Sequence, residues 1–191
     1  ERFEKQQIGL IDLAVIRFPR ISNYTDFDVF EQFPGVSVRY VDRMDRLGEP
    51  DLIFLPGSKN TIDDLRWMRK SGLGEVISDP EGVECGGTIR GMGLLPCSTV
   101  LSSGKIRTQF TGVIEKVEGL FSRLSGLEIE GYEIHMGRTR PEKDDLPAFS
   151  SKGTGYYQGN VFGSYIHGIF DKGAVAAGLI EALGARKGLS M

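Results

Sequence analysis

One histidine stands where a catalytic base could act. The stretch GSYIHGIF, residues 163–170, places His167 at the end of a short apolar run and directly before a glycine. Imidazole exchanges protons near neutral pH, so it can serve as a general base. Open α/β sheets carry their sites outside the carboxyl ends of strands, which favours a catalytic role for this residue. The alternative is a histidine that is only hydrogen-bonded within its loop, and the residue type leaves both interpretations open.

A second candidate is the stretch LPGSKNT, residues 55–61, which has the form of a strand, a tight turn and a helix start. In that arrangement the backbone N–H groups of Gly57 and Ser58 point into a crevice beside a helix dipole. Such groups suit an anion or a developing oxyanion. The glycine and lysine spacing of a nucleotide-binding P-loop is absent. The simpler alternative is a glycine needed only for the conformation of the turn.

The chain has two cysteines, Cys85 and Cys97. Cys85 lies in VECGGTIRG, and a cysteine followed by two glycines resembles a nucleophile elbow. An elbow requires a buried strand directly before the nucleophile, and the preceding SDPEGVE is too polar to form one. We therefore interpret Cys85 as a turn or loop thiol and Cys97, in GLLPCSTV, as a small apolar strand residue.

The segment GYEIHMGRT, residues 131–139, predicts a strand with alternating faces. Alternation places Glu133 and His135 on one face, with Tyr132 and Ile134 on the other. The pair could lie on the solvent face of a half-exposed strand. It could instead form the polar wall of a pocket, where either residue positions a substrate or a catalytic partner.

The elements that must position these residues follow an α/β pattern. Three apolar or β-branched runs, residues 10–18, 36–42 and 51–58, predict buried parallel strands. Residues 60–77 predict a helix, with Asn60 or Thr61 as N-cap and Asp63 and Asp64 in the first turn. The second half is β-rich, with alternating or aromatic runs in 99–103, 106–117, 127–139 and 155–170. Residues 173–188 predict a closing helix.

The composition limits the classes of function. A chain of 191 residues with 40% hydrophobic content and 26 glycines suits a single domain with its own core. The net charge of -3, without blocks of like charge, argues against nucleic-acid or membrane partners. No apolar run approaches the roughly 20 residues that span a bilayer. Two cysteines without a Cys-x-x-Cys motif predict neither a metal site nor a disulfide framework, so we expect a soluble protein of the reduced cytoplasm.

Five segments, spread in matching order from about residue 9 to 171, resemble the glutamine amidotransferase domain of the cobyric acid synthase family of cobalamin biosynthesis. They are VIRFPRISNYTDFD, LPGSKNT, GMGLLP, GYEIHMGRT and GSYIHGIF. Their combination is far more specific than any one of them. GYEIHMGRT and SYIHGIF best separate the sequence from cobyrinate diamide synthases and from glutaminase subunits that act on cell-wall lipids.

The resemblance implies a class I glutamine amidotransferase fold of flavodoxin-like type, in which a mostly parallel sheet is flanked by helices. It implies that His167 activates a cysteine nucleophile and that Gly57 and Ser58 form the turn that supplies an oxyanion-hole amide. The ammonia would serve an N-terminal synthetase domain of the same polypeptide, which uses ATP and Mg to amidate a corrinoid. The glutaminase domain itself would need no cofactor. Alternatives are a non-catalytic module with this fold, or a glutaminase that serves cobyrinate or a cell-wall lipid.

Two features depart from that family pattern. Many class I glutaminases carry a glutamate two residues after the histidine, where this chain has Ile169, which leaves a Cys-His dyad and Glu133 as a conjectural third group. The nucleophile elbow is also missing. We expect it in a segment of roughly 25 to 35 residues that belongs between Ile77 and Ser78. The start at Glu1 rather than methionine suggests a processed chain or a piece of a larger protein.

Overall fold

The computed structural model describes residues 9–59, 61–71, 84–85, 88–89 and 91–190. The chain divides into two compact units, Glu1–Leu94 and Leu95–Met191, and each is described by itself. The junction between Ile77 and Ser78 lies outside the described residues. The expectation of one glutaminase domain over residues 1–191 stays a prediction.

The first unit is organised by a parallel sheet. Its strands are β1 (Ile11–Ile16), β2 (Val36–Val41) and β3 (Leu52–Phe54), in the order β2-β1-β3. All six residues of the central strand β1 are buried. A strand covered on both faces requires a continuous apolar run, which explains why the predicted parallel strands are confirmed here.

Helical segments cover the sheet. Helix α1 (Thr61–Lys70) packs Met68 into a cluster with Ala14, Ile16 and Val41. A 3₁₀ helix (Tyr24–Gln32) places Phe27 and Phe30 against the ring of Phe54, with ring centroids 4.9 and 5.3 Å away. A second 3₁₀ helix spans Met44–Arg46. The first turn of α1 carries Asp63 and Asp64 as predicted, whereas its N-cap lies outside the described residues.

A buried ion pair joins the two longer strands of this sheet. Arg39 of β2 donates from Nε and Nη2 to the two carboxylate oxygens of Asp12, at 2.8 and 2.6 Å. The same guanidinium donates to the carbonyls of Arg46 and Leu47. Hydrogen bonding to Asp12 raises the pKa of Arg39 above its ordinary value, against the opposing effect of burial. The bidentate geometry and the two carbonyls compensate for removing both charges from water.

The second unit is antiparallel. Strands β6 (Cys97–Val113), β7 (Glu128–Pro141) and β10 (Ile166–His167) form a sheet in the order β10-β7-β6. A separate hairpin joins β8 (Gly155–Gln158) to β9 (Val161–Ser164). Helix α2 (Ala174–Arg186) confirms the predicted closing helix, and its Gly178 faces Leu124 of a 3₁₀ helix (Gly119–Leu124). Within the described ranges, no helix is long and apolar enough to cross a bilayer.

Three details of the sequence interpretation change. The run 155–170 forms three strands, because β9 pairs with β8 whereas β10 pairs with β7. The run 99–103 and residues 106–113 of the next run join in the single strand β6, whose register shifts between Leu101 and Ile106. Cys85 ends β4 (Glu84–Cys85), which pairs with β5 (Thr88–Ile89), so it lies in a short antiparallel hairpin rather than in an irregular loop.

The Arg39–Asp12 pair gives a test of this fold. We expect Arg39→Ala to lower the free energy of unfolding by about 3 to 5 kcal/mol, because it leaves a carboxylate buried without its cation. Urea denaturation measures the change. The matched control is Arg43→Ala, which removes an exposed pair with Asp45 and should cost at most about 1 kcal/mol. Equal losses in the two variants would contradict a structural role for the buried pair.

Candidate active site

Backbone pairing orients the predicted oxyanion turn in the first unit. The N–H of Ser22 donates to the carbonyl of Gly57 at 2.9 Å, and the N–H of Lys59 donates to the carbonyl of Arg20 at 3.1 Å. These two bonds flank an antiparallel bridge between Ile21 and Ser58. In a pair flanked in this way, the residue's own N–H points away from the opposing segment. The N–H of Ser58 therefore points away from residues 20–22.

Side chains anchor the same turn to the start of α1. The hydroxyl of Ser58 donates to Asp64 at 2.6 Å, and Arg20 lies 3.5 to 3.6 Å from the carboxylates of Asp63 and Asp64. Asp64 is only 1% exposed. Because two carboxylates already occupy the first turn of α1, the positive end of its dipole is offset by the chain itself. The contribution to an oxyanion would come from the backbone amide rather than from the helix end.

His167 lies in the second unit, on the last residue of β10. Its register partner is Tyr132 of β7, and the two rings stack with centroids 5.3 Å apart at 26°. The chain turns directly afterwards, because Gly168 has a φ of +73° and its carbonyl accepts the N–H of Asp171. The sequence places His167 just beyond a strand over residues 160–166. In the structure it is the last residue of β10, a separate short strand of an antiparallel sheet rather than of the parallel one.

Glu133 and His135 form a pair on one face of β7, as alternation predicts. His135 Nε2 lies 3.7 Å from Glu133 Oε2, an ion pair only when the imidazole is protonated. His135 Nδ1 donates to the carbonyl of Gly137 at 2.7 Å, and its ring stacks on Tyr165 at 3.8 Å. Glu133 is 6% exposed, so the interpretation as a solvent-face pair is wrong. Ile166, the register partner of Glu133, lies beside it on the same face and is itself buried.

The register separates that pair from His167. Residues opposite each other on antiparallel strands point to the same face, and neighbours along a strand point to opposite faces. His167 therefore shares a face with Tyr132, whereas Glu133 shares the other face with Ile166. The conjecture that Glu133 orients His167 as a third catalytic group does not fit this arrangement.

Close backbone contact holds β10 on β7. An ideal Cβ at Gly131 would lie 2.1 Å from the carbonyl oxygen of His167 and 2.8 Å from Ile166 Cγ2. Only glycine allows the strands to approach so closely there. The position of the imidazole thus depends on the absence of a side chain on the neighbouring strand.

Cys97 does not have the environment of a nucleophile. Burial, and then the negative charge of Glu142, raise the pKa of its thiol, whereas a nucleophilic cysteine requires the thiolate. The described residues also contain no cluster of three or more His, Cys, Asp or Glu side chains that could hold a metal ion.

The architecture resembles that of a chain of known structure. A chain in the structure of PurLQS from Thermotoga maritima superposes with a TM-score of 0.65 over 91% of this chain and 99% of that one, at 22% sequence identity. The fold is therefore of the class I glutamine amidotransferase type, as the sequence predicts.

Sequence comparison gives the family. The chain belongs to the CobB/CobQ-like glutamine amidotransferase domain family, whose model matches residues 12–77 and 72–175. It is 44% identical to a cobyric acid synthase of Ruminiclostridium cellulolyticum and 42% identical to one of Lachnoclostridium phytofermentans, over 99% of this chain. These alignments cover 44% and 45% of the two relatives, so the chain spans less than half their length.

The sequence interpretation missed three contributors to the arrangement. Arg20 and Asp64 anchor the Ser58 turn, and Tyr132 stacks on His167. The two aspartates at the start of α1 are a partial sequence signal for the contact between Asp64 and the Ser58 turn. The stack of Tyr132 on His167 depends on the register between β7 and β10, which local sequence does not reveal.

Gly131→Ala tests the close approach. The added methyl group must displace the carbonyl of His167, and we expect a loss of about 1 to 3 kcal/mol in the free energy of unfolding. Thermal or urea unfolding measures it. Gly91→Ala is the control, because a Cβ at Gly91 meets nothing within 4 Å. A Gly131→Ala protein as stable as the control would show that β10 does not lie against β7 as described.

Proposed function

We propose that this chain hydrolyses glutamine as the amidotransferase part of a cobyric acid synthase. The observation that carries the proposal is the 44% identity to a cobyric acid synthase over 99% of the chain. Ammonia from glutamine would be used by an ATP- and Mg-dependent synthetase domain in the same polypeptide, which amidates carboxylates of a corrinoid. The length of the relatives, more than twice that of this chain, supports the presence of such a second part.

In the proposed reaction, His167 takes the proton of a cysteine thiol, and the thiolate attacks the carboxamide carbon of glutamine. The Ser58 amide, in the turn with Gly57, donates to the oxyanion of the tetrahedral intermediate. The imidazolium then gives its proton to the leaving nitrogen, and ammonia departs as the carbon–nitrogen bond breaks. Water, deprotonated by His167, hydrolyses the thioester to glutamate and restores the thiol.

The nucleophile belongs to a segment that the sequence lacks. The relative from Ruminiclostridium aligns over 224 positions, whereas this chain has 191 residues, so at least 33 positions face a gap in this chain. The two matched segments of the family also meet at residues 72–77. Both observations support a missing segment of roughly 25 to 35 residues between Ile77 and Ser78, long enough for a strand, an elbow and a helix.

The working environment follows from this role. Glutamine and the corrinoid are small molecules, and the net charge of -3 offers no basic surface for nucleic acid or anionic lipid. We place the protein in the reduced cytoplasm, where a free nucleophilic thiol persists. The glutaminase part itself uses no cofactor, because the thiol, the imidazole and a backbone amide supply all the chemistry.

The alternative is a binding or scaffolding module that keeps the fold without the nucleophile. It is favoured by the sequence as it stands, in which neither Cys85 nor Cys97 has the sequence context of a nucleophile elbow. Sequencing the gene across the codons for residues 77 and 78 separates the two. We expect an apolar strand followed by Cys-Gly-Gly. A direct Ile-Ser junction would favour the module instead.

For the full-length protein, we expect His167→Ala to reduce glutaminase turnover by about 10²- to 10⁴-fold, the usual contribution of a general acid-base residue. A coupled assay of glutamate release measures it. Cys85→Ser is the control and should leave turnover nearly intact. Unchanged turnover in His167→Ala would remove this histidine from the mechanism, and loss of turnover in Cys85→Ser would identify Cys85 as the nucleophile.

A further inference from the structure

The ring of Tyr132 stacks on the imidazole ring of His167. The centroid separation of 5.3 Å and interplanar angle of 26° lie within the range of offset-stacked rings. The tyrosine side chain is 38% exposed, so the contact lies at the surface of this unit rather than in its core. A ring that remains this exposed contributes less to the core than a buried aromatic side chain would.

Tyr132, which stacks on the imidazole, is held in the sheet by strands on both sides. Tyr132 lies within β7, a strand of 14 residues, and pairs with Gln109 of β6 as well as with His167 of β10. β10 itself has only two residues and is followed by a turn at Gly168. The longer strand therefore supplies a fixed surface, and the short strand carries the group that has to be oriented.

We propose that Tyr132 is a positioning residue for His167, in the role that a carboxylate two residues after the histidine fills in other class I glutaminases. That position here is Ile169, which has no group that could orient an imidazole. The inference rests on the proposed function of His167 as the base. The face of the Tyr132 ring limits rotation of the imidazole about the Cβ–Cγ bond of His167, so that one ring nitrogen stays directed toward the nucleophile.

The stack also suits the charge that forms in the reaction. When His167 takes the thiol proton it becomes an imidazolium, and the negative face of an aromatic ring within about 6 Å attracts a cation. The contact requires the ring and not the phenolic hydroxyl. Phenylalanine should therefore replace tyrosine here, whereas leucine, which has no ring, should not.

The first experiment detects the stack without measuring activity. In the full-length protein, the NMR signals of the imidazole carbon-bound protons of His167 and His135 are assigned with His167→Asn and His135→Asn. Ring current from Tyr132 should move the His167 signals upfield. Tyr132→Leu should abolish that displacement and leave His135 unchanged, and Tyr132→Phe should retain it. Tyr165→Leu is the matched control, because Tyr165 stacks on His135 and its loss should move only the His135 signals.

The second experiment measures glutaminase kinetics in the full-length protein. Tyr132→Leu should lower kcat roughly three- to tenfold with KM unchanged, the size expected for one lost aromatic contact, and Tyr132→Phe should stay near wild type. Unmoved His167 signals, or a normal kcat in Tyr132→Leu, would overturn the positioning role. Loss of kcat in Tyr132→Phe as well would assign the effect to the hydroxyl and also overturn it. If His167→Ala is fully active, the positioning role falls with the role of His167 as the base. If the unaltered full-length protein releases no glutamate from glutamine, the proposed function fails, and the NMR result still decides whether the stack exists.

Discussion

The antiparallel pairing of β10 with β7 is the constraint on which the surroundings of His167 depend. A strand of two residues has little structure of its own, so its register comes from the longer neighbour. Side chains alternate between faces, and a slip of one residue would exchange every neighbour. In the observed register, the imidazole meets the exposed ring of Tyr132, and the buried carboxylate of Glu133 lies on the opposite face.

The two units supply different kinds of chemical group. The parallel unit offers a backbone amide whose direction depends on hydrogen bonds to a neighbouring loop and on the Arg20–Asp64 contact. The antiparallel unit offers an imidazole held on the edge of a sheet. Under the proposed function, the amide needs no titration, whereas the imidazole would gain and lose a proton. A rigid turn suits the amide, which only has to keep its direction. A contact with an aromatic face suits the imidazole, which would carry a positive charge when protonated.

Much of the fold could be predicted from the sequence, because the patterns that define its strands and helices lie within short stretches of the chain. Continuous apolar runs identified the parallel strands, and the aspartates at positions 63 and 64 marked the start of α1. The alternation in β7 correctly separated Glu133 from Tyr132. The choice of buried face could not be made locally, since it depends on which residues of distant segments, such as Ile166, lie beside Glu133. For the same reason the division of residues 155–170 among three strands was missed, because their partners lie in different sheets.

The hydrogen bond from Ser22 to Gly57 has a further consequence. The carbonyl of Gly57 and the N–H of Ser58 belong to one planar peptide unit and point in opposite directions. The hydrogen bond that fixes the Gly57 carbonyl oxygen therefore also fixes the direction of the Ser58 N–H. The loop after β1 thus acts as a template for the loop after β3, and an insertion or deletion in the first would rotate the second. In the evolution of this fold, we expect the two loops to have been inherited together, as a single unit of variation.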